Sequence, residues 1–167
     1  VIVASEFPNF EELITPKTVI LAVSQSGETA DVLEGVRVAK RKGAKIIAIV
    51  NVMGSTLMRL SDLSLMINAG PEICVVATKT YTSQLALLGL IAHTLADKLN
   101  EGKEELNIVA KAVNEYLKEE SNLKVLDKLA EKLKKKEHIF LIGRGLSYVT
   151  SLEGALKIKE VSYIHAE

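Results

Sequence analysis

Residues 18–29 read TVILAVSQSGET, and the change of character at Ser24 governs how the chain is read. TVILAV is an unbroken apolar run rich in β-branched residues, the pattern of a strand buried on both faces. SQSGET then carries three hydroxyls and a glycine but no cation. Asp31–Lys42 follows with apolar residues at Val32, Val36 and Ala39, a helical spacing. Gly43 predicts the helix stop, with Lys40, Arg41 and Lys42 favourably placed in the last turn.

The same rhythm continues along the chain. KIIAIV at 45–50 reads as a second strand, Thr56–Leu60 as a short helix and Leu63–Ile67 as a third strand. A helix from about Lys79 to Leu99 is apolar almost all round, which predicts burial. The charged segment 100–137 predicts one or two amphipathic helices, with an interruption near ESNLK at 120–124. HIFLI at 138–142 predicts another strand, and Ser147–Ile164 another helix. Continuous apolar strands, each followed by a helical segment, specify an α/β fold with an open parallel sheet covered on both faces. Ligands bind such sheets beyond the carboxyl ends of the strands.

Composition narrows the function. The chain of 167 residues has 21 basic and 21 acidic residues and only 4% aromatics, so neither an electrostatic footprint nor stacking platforms for nucleic acid are present. Its longest apolar stretch, LALLGLIAHTLA at 85–96, is too short for a membrane span. The one cysteine, Cys74, allows no internal disulfide and suits a reducing, cytoplasmic setting; in EICVVATK it is expected to be a small packed residue. The histidines His93, His138 and His165 lack metal-ligand spacing, so no metal or other cofactor is expected, and His93 reads as structural. A first residue that is not methionine and a last residue inside a helical pattern suggest a piece of a longer protein.

SQSGET therefore falls at a strand end and a helix start, where backbone N–H groups lack partners and the helix dipole is positive. Two readings stay open. A Ser or Thr there can simply cap the helix. Alternatively, Ser24, Ser26 and Thr29 hydroxyls with the Gln25 amide form an uncharged cradle for a phosphate, and Gly27 allows close approach or positive φ. Neither GxxxxGK[ST] nor GxGxxG is present. A second strand–turn–helix junction, LIGRGLSY at 141–148, reads equally as a glycine-containing βα turn or a second ligand turn. In LEGALKIKEVSYIHAE (152–167), Glu153, Lys157 and Glu160 fall within a stripe of about 60° on one helix face. Such a stripe is either an ordinary ion pair with a neighbouring acid or a general base beside a cation.

Taken together, SQSGETADVLEGVRVAKRKGAKIIAIVNVMGSTLMRLSD, NAGPEICVVATKTYTSQLALLGLIA and GRGLSYVTSLEGALKIKEVSYIHAE resemble the sugar isomerase (SIS) domains of the glutamine–fructose-6-phosphate aminotransferase family. The N-terminal VIVASEF also fits, and 100–137 is the weakest part. The resemblance implies an SIS-type, three-layer αβα, flavodoxin-like fold. By it, 1–137 is most of a first SIS subdomain with connecting helices, and 138–167 is the first strand and helix of a second. It further implies that Ser24, Gln25, Ser26 and Thr29 hold a sugar phosphate, while Val75, Ala77 and Thr78 line the sugar. Here VVAT replaces the VAST of many relatives, so Ala77 stands where they have serine. Glu160 would be the base that moves a proton between C1 and C2, and Lys157 would assist at the sugar oxygens. A ring-opening histidine and a Schiff-base lysine of the family would lie outside this chain. The implied reaction makes glucosamine 6-phosphate from fructose 6-phosphate and ammonia released by a glutaminase domain of the same full-length chain, in a homodimer, and the piece alone would be inactive. A glucosamine-6-phosphate deaminase, a sugar-amine deglycase or a non-catalytic phosphosugar-sensing SIS module are the alternatives.

Overall fold

The computed structural model describes all 167 residues. They form two compact units, Val1–Ile73 with Ala77–Ala92, and Cys74–Val76 with His93–Glu167.

The first unit holds β1 (Val19–Ser24), α1 (Ala30–Arg41), β2 (Lys45–Val50), α2 (Thr56–Leu60) and β3 (Leu63–Met66). The strands form one parallel sheet in the order β1-β2-β3, with Val19 opposite Lys45 and Ile47 opposite Leu63. Strand β2 is central, and Ile46, Ala48, Ile49 and Val50 are wholly buried. Val36 and Ala39 of α1 and Leu57 of α2 close the core with them. The α1 stop is a Schellman turn: Gly43 N–H donates to Lys40 C=O (2.9 Å) and Ala44 N–H to Ala39 C=O (3.1 Å), with Gly43 at φ +82°. Ala44 and Ala39, both buried, make the apolar contact that accompanies such a turn.

Residues 4–13, which carry no clear period, form a 3₁₀ segment (Ala4–Leu13) containing Pro8. Its Phe7 packs over Gly35 of α1, where an added Cβ would sit 3.1 Å from the ring.

Helix α3 (Lys79–Leu95) departs from the expectation in two ways. It ends four residues early, because Asp97 adopts φ +58° and closes another Schellman turn: Lys98 N–H donates to His93 C=O (2.8 Å) and Asp97 N–H to Thr94 C=O (3.1 Å). It is also not buried: Thr80 is its one buried residue, and Leu85 and Leu95 are exposed. An all-round apolar surface needs packing partners on every side, and this chain supplies them on some sides only: Leu87, Leu88, Leu90 and Ile91 are half-buried.

In the second unit, the charged segment resolves into α4 (Leu99–Lys118) and α5 (Glu120–Leu133), which break at Glu119 and pack on each other. The strand expected at 138–142 is only β4 (His138–Ile139). Its parallel partner is β5 (His165–Ala166), inside the IHAE stretch, so the ladder is as short as that partner. Leu141 N–H donates to Glu167 C=O (2.6 Å) and extends it by one bond. Between them runs α6 (Leu146–Ser162). His93 faces Glu105 at 3.3 Å.

Candidate functional site

The turn after β1 is built around Ser24, whose side chain is buried. Its Oγ accepts the Gly27 N–H (3.0 Å) and pairs with Thr29 Oγ1 (2.8 Å). Ser26 Oγ accepts the Glu28 N–H (3.1 Å), a local hydroxyl turn. Gly27 sits at φ +68°, and a Cβ there would lie 2.2 Å from Ser55 Oγ, so the position requires glycine for both conformation and space. The backbone is tied from outside as well. Gln25 C=O accepts the Asn51 N–H (3.0 Å), and Gly27 C=O accepts the Leu57 N–H (2.9 Å). Glu28 Oε1 accepts the Thr56 N–H (2.6 Å) at the start of α2. That backbone hydrogen bond, helped by the Thr56 hydroxyl, holds the Glu28 carboxyl below its ordinary range.

This geometry bears on the capping question. Thr29 occupies the N-cap position of α1 with extended φ and ψ, yet no side chain caps the helix. The Thr29 hydroxyl is turned to Ser24 instead. The first amides of α1 are therefore left as donors, beside half-buried Gln25 and Ser26 and exposed Thr29. That is the environment of an anion site formed without a cation.

In the following turn Ala77 is half-buried and Thr78 exposed, while Val75 is exposed. Cys74 is exposed and not packed as expected, because Ile73 and Val75 on either side of it also point away from the core. Two residues the sequence did not single out organise this region of the first unit. Asn51 Nδ2 donates to Gly70 C=O (2.7 Å) and its Oδ1 accepts the Ala69 N–H (3.0 Å). Glu72 Oε2 accepts from Thr80 Oγ1 (2.6 Å), Thr80 N–H (3.1 Å) and Thr78 N–H (3.3 Å).

In the second unit, the α6 stripe is realised as a chain of charges. Lys157 Nζ lies 3.1 Å from Glu153 Oε1 and 2.9 Å from Glu160 Oε2, with all three side chains only 25–27% exposed. Partial burial works to lower the Lys157 pKa, but the hydrogen bonds to Glu160 and Glu153 outweigh it and raise it. Lys157 is thus a fixed cation beside the Glu160 carboxylate. The GRG turn before α6 shows no side-chain cap either; Gly145, at φ +61°, holds the N-cap position. His165 Nδ1 lies 3.1 Å from His138 Nδ1. No three His, Cys, Asp or Glu side chains gather where they could hold a metal ion, and no helix is long and apolar enough to cross a membrane.

The parallel sheet and the uncapped, hydroxyl-lined turn at its carboxyl end define an α/β domain, and comparison with known proteins gives its family. The SIS domain model matches residues 1–94 and 132–167, and the chain belongs to the SIS domain family. It is 51% identical over 98% of its length to the glutamine–fructose-6-phosphate aminotransferase [isomerizing] of Thermococcus kodakarensis. The protein of the same name from Thermotoga maritima is 46% identical over 98% of the chain. The chain spans only 28% of the length of each of these relatives. Among solved structures, the C-terminal domain of glucosamine-fructose-6-phosphate aminotransferase from Francisella tularensis superposes with a TM-score of 0.79 at 40% identity, covering 89% of this chain and 44% of that one. Glucosamine-6-phosphate deaminase from Thermotoga maritima gives 0.76 at 25% identity, covering 98% of this chain and 49% of that one.

Proposed function

We propose that this chain is the phosphosugar-binding isomerase part of a glutamine–fructose-6-phosphate aminotransferase. In that reading the full-length protein also contains a glutaminase domain, works as a cytoplasmic homodimer and makes glucosamine 6-phosphate from fructose 6-phosphate. Residues 1–137 are most of one SIS subdomain with its connecting helices, and 138–167 open a second. The gap in the family match between 94 and 132 supports that division.

The observation that carries the reading is the Lys157–Glu160 pair at 2.9 Å. Isomerisation of a sugar phosphate requires removal of a proton from the carbon next to a carbonyl and its return to the neighbouring carbon. Glu160 is the carboxylate that takes and returns the proton. Lys157, kept protonated by Glu153 and Glu160, stabilises the oxyanion that develops at the sugar oxygens. The phosphate is held by the α1 amides with Gln25, Ser26 and Thr29. Ser24, buried and bonded within the turn, acts through Thr29 and Gly27. Val75, Ala77 and Thr78 line the sugar, with Ala77 offering backbone where relatives offer a hydroxyl.

The 25% identity to a glucosamine-6-phosphate deaminase structure supports a second reading with the same turn and base but amine release as its outcome. Both are tested in the full-length protein by assaying synthesis and deamination side by side with Glu160→Gln. The expected result is synthesis in the wild type, its loss in Glu160→Gln, and retained fructose 6-phosphate binding. Near-normal synthesis by Glu160→Gln removes Glu160 as the base; deamination without synthesis establishes the second reading.

A further inference from the structure

The turn between β3 and α3 is closed by contacts that neither the hydroxyl turn nor the acid–base stripe uses. An ordinary N-cap reaches two or three residues along the chain. Glu72 reaches six and eight, and all three of its bonds converge on one oxygen, Oε2. The acceptor collects the first free amides at the start of α3 and the hydroxyl of Thr80, which is completely buried. Asn51 supplies the second tie. It stands directly after β2, and its backbone N–H holds Gln25 C=O of the phosphate turn while its side-chain amide clasps Ala69 and Gly70. The two residues make a continuous path from Gln25 through Asn51 and Gly70 to Glu72 and Thr78.

We propose that Glu72 is a positioning residue that fixes the Ala77–Thr78 turn for the sugar, with Asn51 anchoring that turn to the phosphate turn. The proposal rests on the assignment of Ala77 and Thr78 to the sugar given above. Glu72 touches no substrate; it acts through the amides it gathers. A carboxylate suits the place, because it accepts several bonds at once and its charge favours a helix N-terminus. The Thr80 hydroxyl bond, working against partial burial and helped by the Thr80 and Thr78 amides, keeps the Glu72 carboxyl ionised below its ordinary range.

The test compares Glu72→Ala, Glu72→Gln and the wild type in the full-length protein. Three quantities are read: KM and kcat for fructose 6-phosphate, the inhibition constant of inorganic phosphate, and hydrogen exchange at the Thr78 and Thr80 amides. Glu72→Ala is expected to raise KM about tenfold and to speed exchange at both amides, as loss of an acceptor shared by several donors does. Glu72→Gln restores both in part, since its carbonyl oxygen accepts from the same donors but brings no charge. Inorganic phosphate inhibits all three proteins equally, because it needs only the first turn. Unchanged exchange in Glu72→Ala overturns the brace. Faster exchange with unchanged KM, or an equal weakening of phosphate and phosphosugar, overturns its role in placing the sugar. A wild type that does not bind fructose 6-phosphate refutes the functional assignment and with it the sugar role, while the exchange arm still decides the brace.

Discussion

Gly27→Ala is the sharpest test of how the turn after β1 is built. Two independent penalties meet at this residue. Its φ of +68° lies in the left-handed region, where an L side chain costs about 1–2 kcal/mol. The added methyl would also stand 2.2 Å from Ser55 Oγ, 2.6 Å from Ser55 Cβ and 3.3 Å from Val50 Cγ1. Ser55 and Val50 are themselves buried, so neither can swing away into solvent, and overpacking of this kind adds about 1–3 kcal/mol. The expected loss is about 2–5 kcal/mol. Native-state hydrogen exchange of the Ile46, Ala48 and Val50 amides in the full-length protein reads it directly as a fall in opening free energy. The double variant Gly27→Ala with Ser55→Gly separates the two penalties. Ser55 Oγ has no hydrogen-bond partner, so its removal breaks none. The double variant should recover about 1–3 kcal/mol, the overpacking part, and keep the conformational part. A loss below about 1 kcal/mol in the single variant, or no recovery in the double, refutes the account.

Two further outcomes are expected. Ser26→Ala combined with Thr29→Ala should weaken fructose 6-phosphate and inorganic phosphate by about 100-fold or more in calorimetry, since two hydrogen bonds to a charged group are lost; unchanged affinity refutes the cradle. Acid should loosen the N-terminal end of β2 through Asp62, whose Oδ2 accepts the Ile46 N–H at 2.7 Å and whose pKa is lowered by that bond, against partial burial and with help from Lys45 and Lys40. A lowered folded pKa means that the stabilisation is full above the ordinary value of 3.8 and is lost as pH falls through the folded one. Protection of the Ile46 amide, taken relative to its intrinsic exchange rate at each pH, should therefore fall below about pH 4 in the wild type and fall less in Asp62→Asn.

Local signals carried the elements of the first unit. β2 and α2 fall on the residues that the apolar runs and polar breaks mark out, and Gly43 announces the α1 stop because only its backbone freedom closes that Schellman turn. The missed partners share one cause. Glu72 and Asn51 act over gaps of 6–8 and 18–19 residues, and β4 pairs with β5 across 27, so no short window contains both partners. The exposure of α3 is a miss of another kind: periodicity reports which faces want covering and not whether this chain covers them. At the candidate site, the sequence placed SQSGET between β1 and α1, where the structure has it, and could not say whether its hydroxyls cap the helix. That depends on rotamers, and the Thr29 rotamer faces Ser24.

The same rotamer gives the proposed phosphate cradle a physical basis, although the turn has no Lys or Arg. Ser24 and Thr29 share one hydrogen bond at 2.8 Å but have two hydroxyl protons between them. Ser24 is buried and already accepts the Gly27 N–H, whereas Thr29 is exposed. The arrangement that wastes no proton has Ser24 donating to Thr29 and Thr29 donating outward. Each donation polarises the next, so the outward hydroxyl is a better donor than an isolated threonine. Added to the uncapped α1 amides and their dipole, this concentrates positive potential without a mobile charged side chain. In the proposed cradle an anion would meet fixed dipoles whose geometry Gly27, Asn51 and Glu28 hold in advance. Under the proposed function, cationic charge is kept for Lys157, beside the carboxylate assigned as the base.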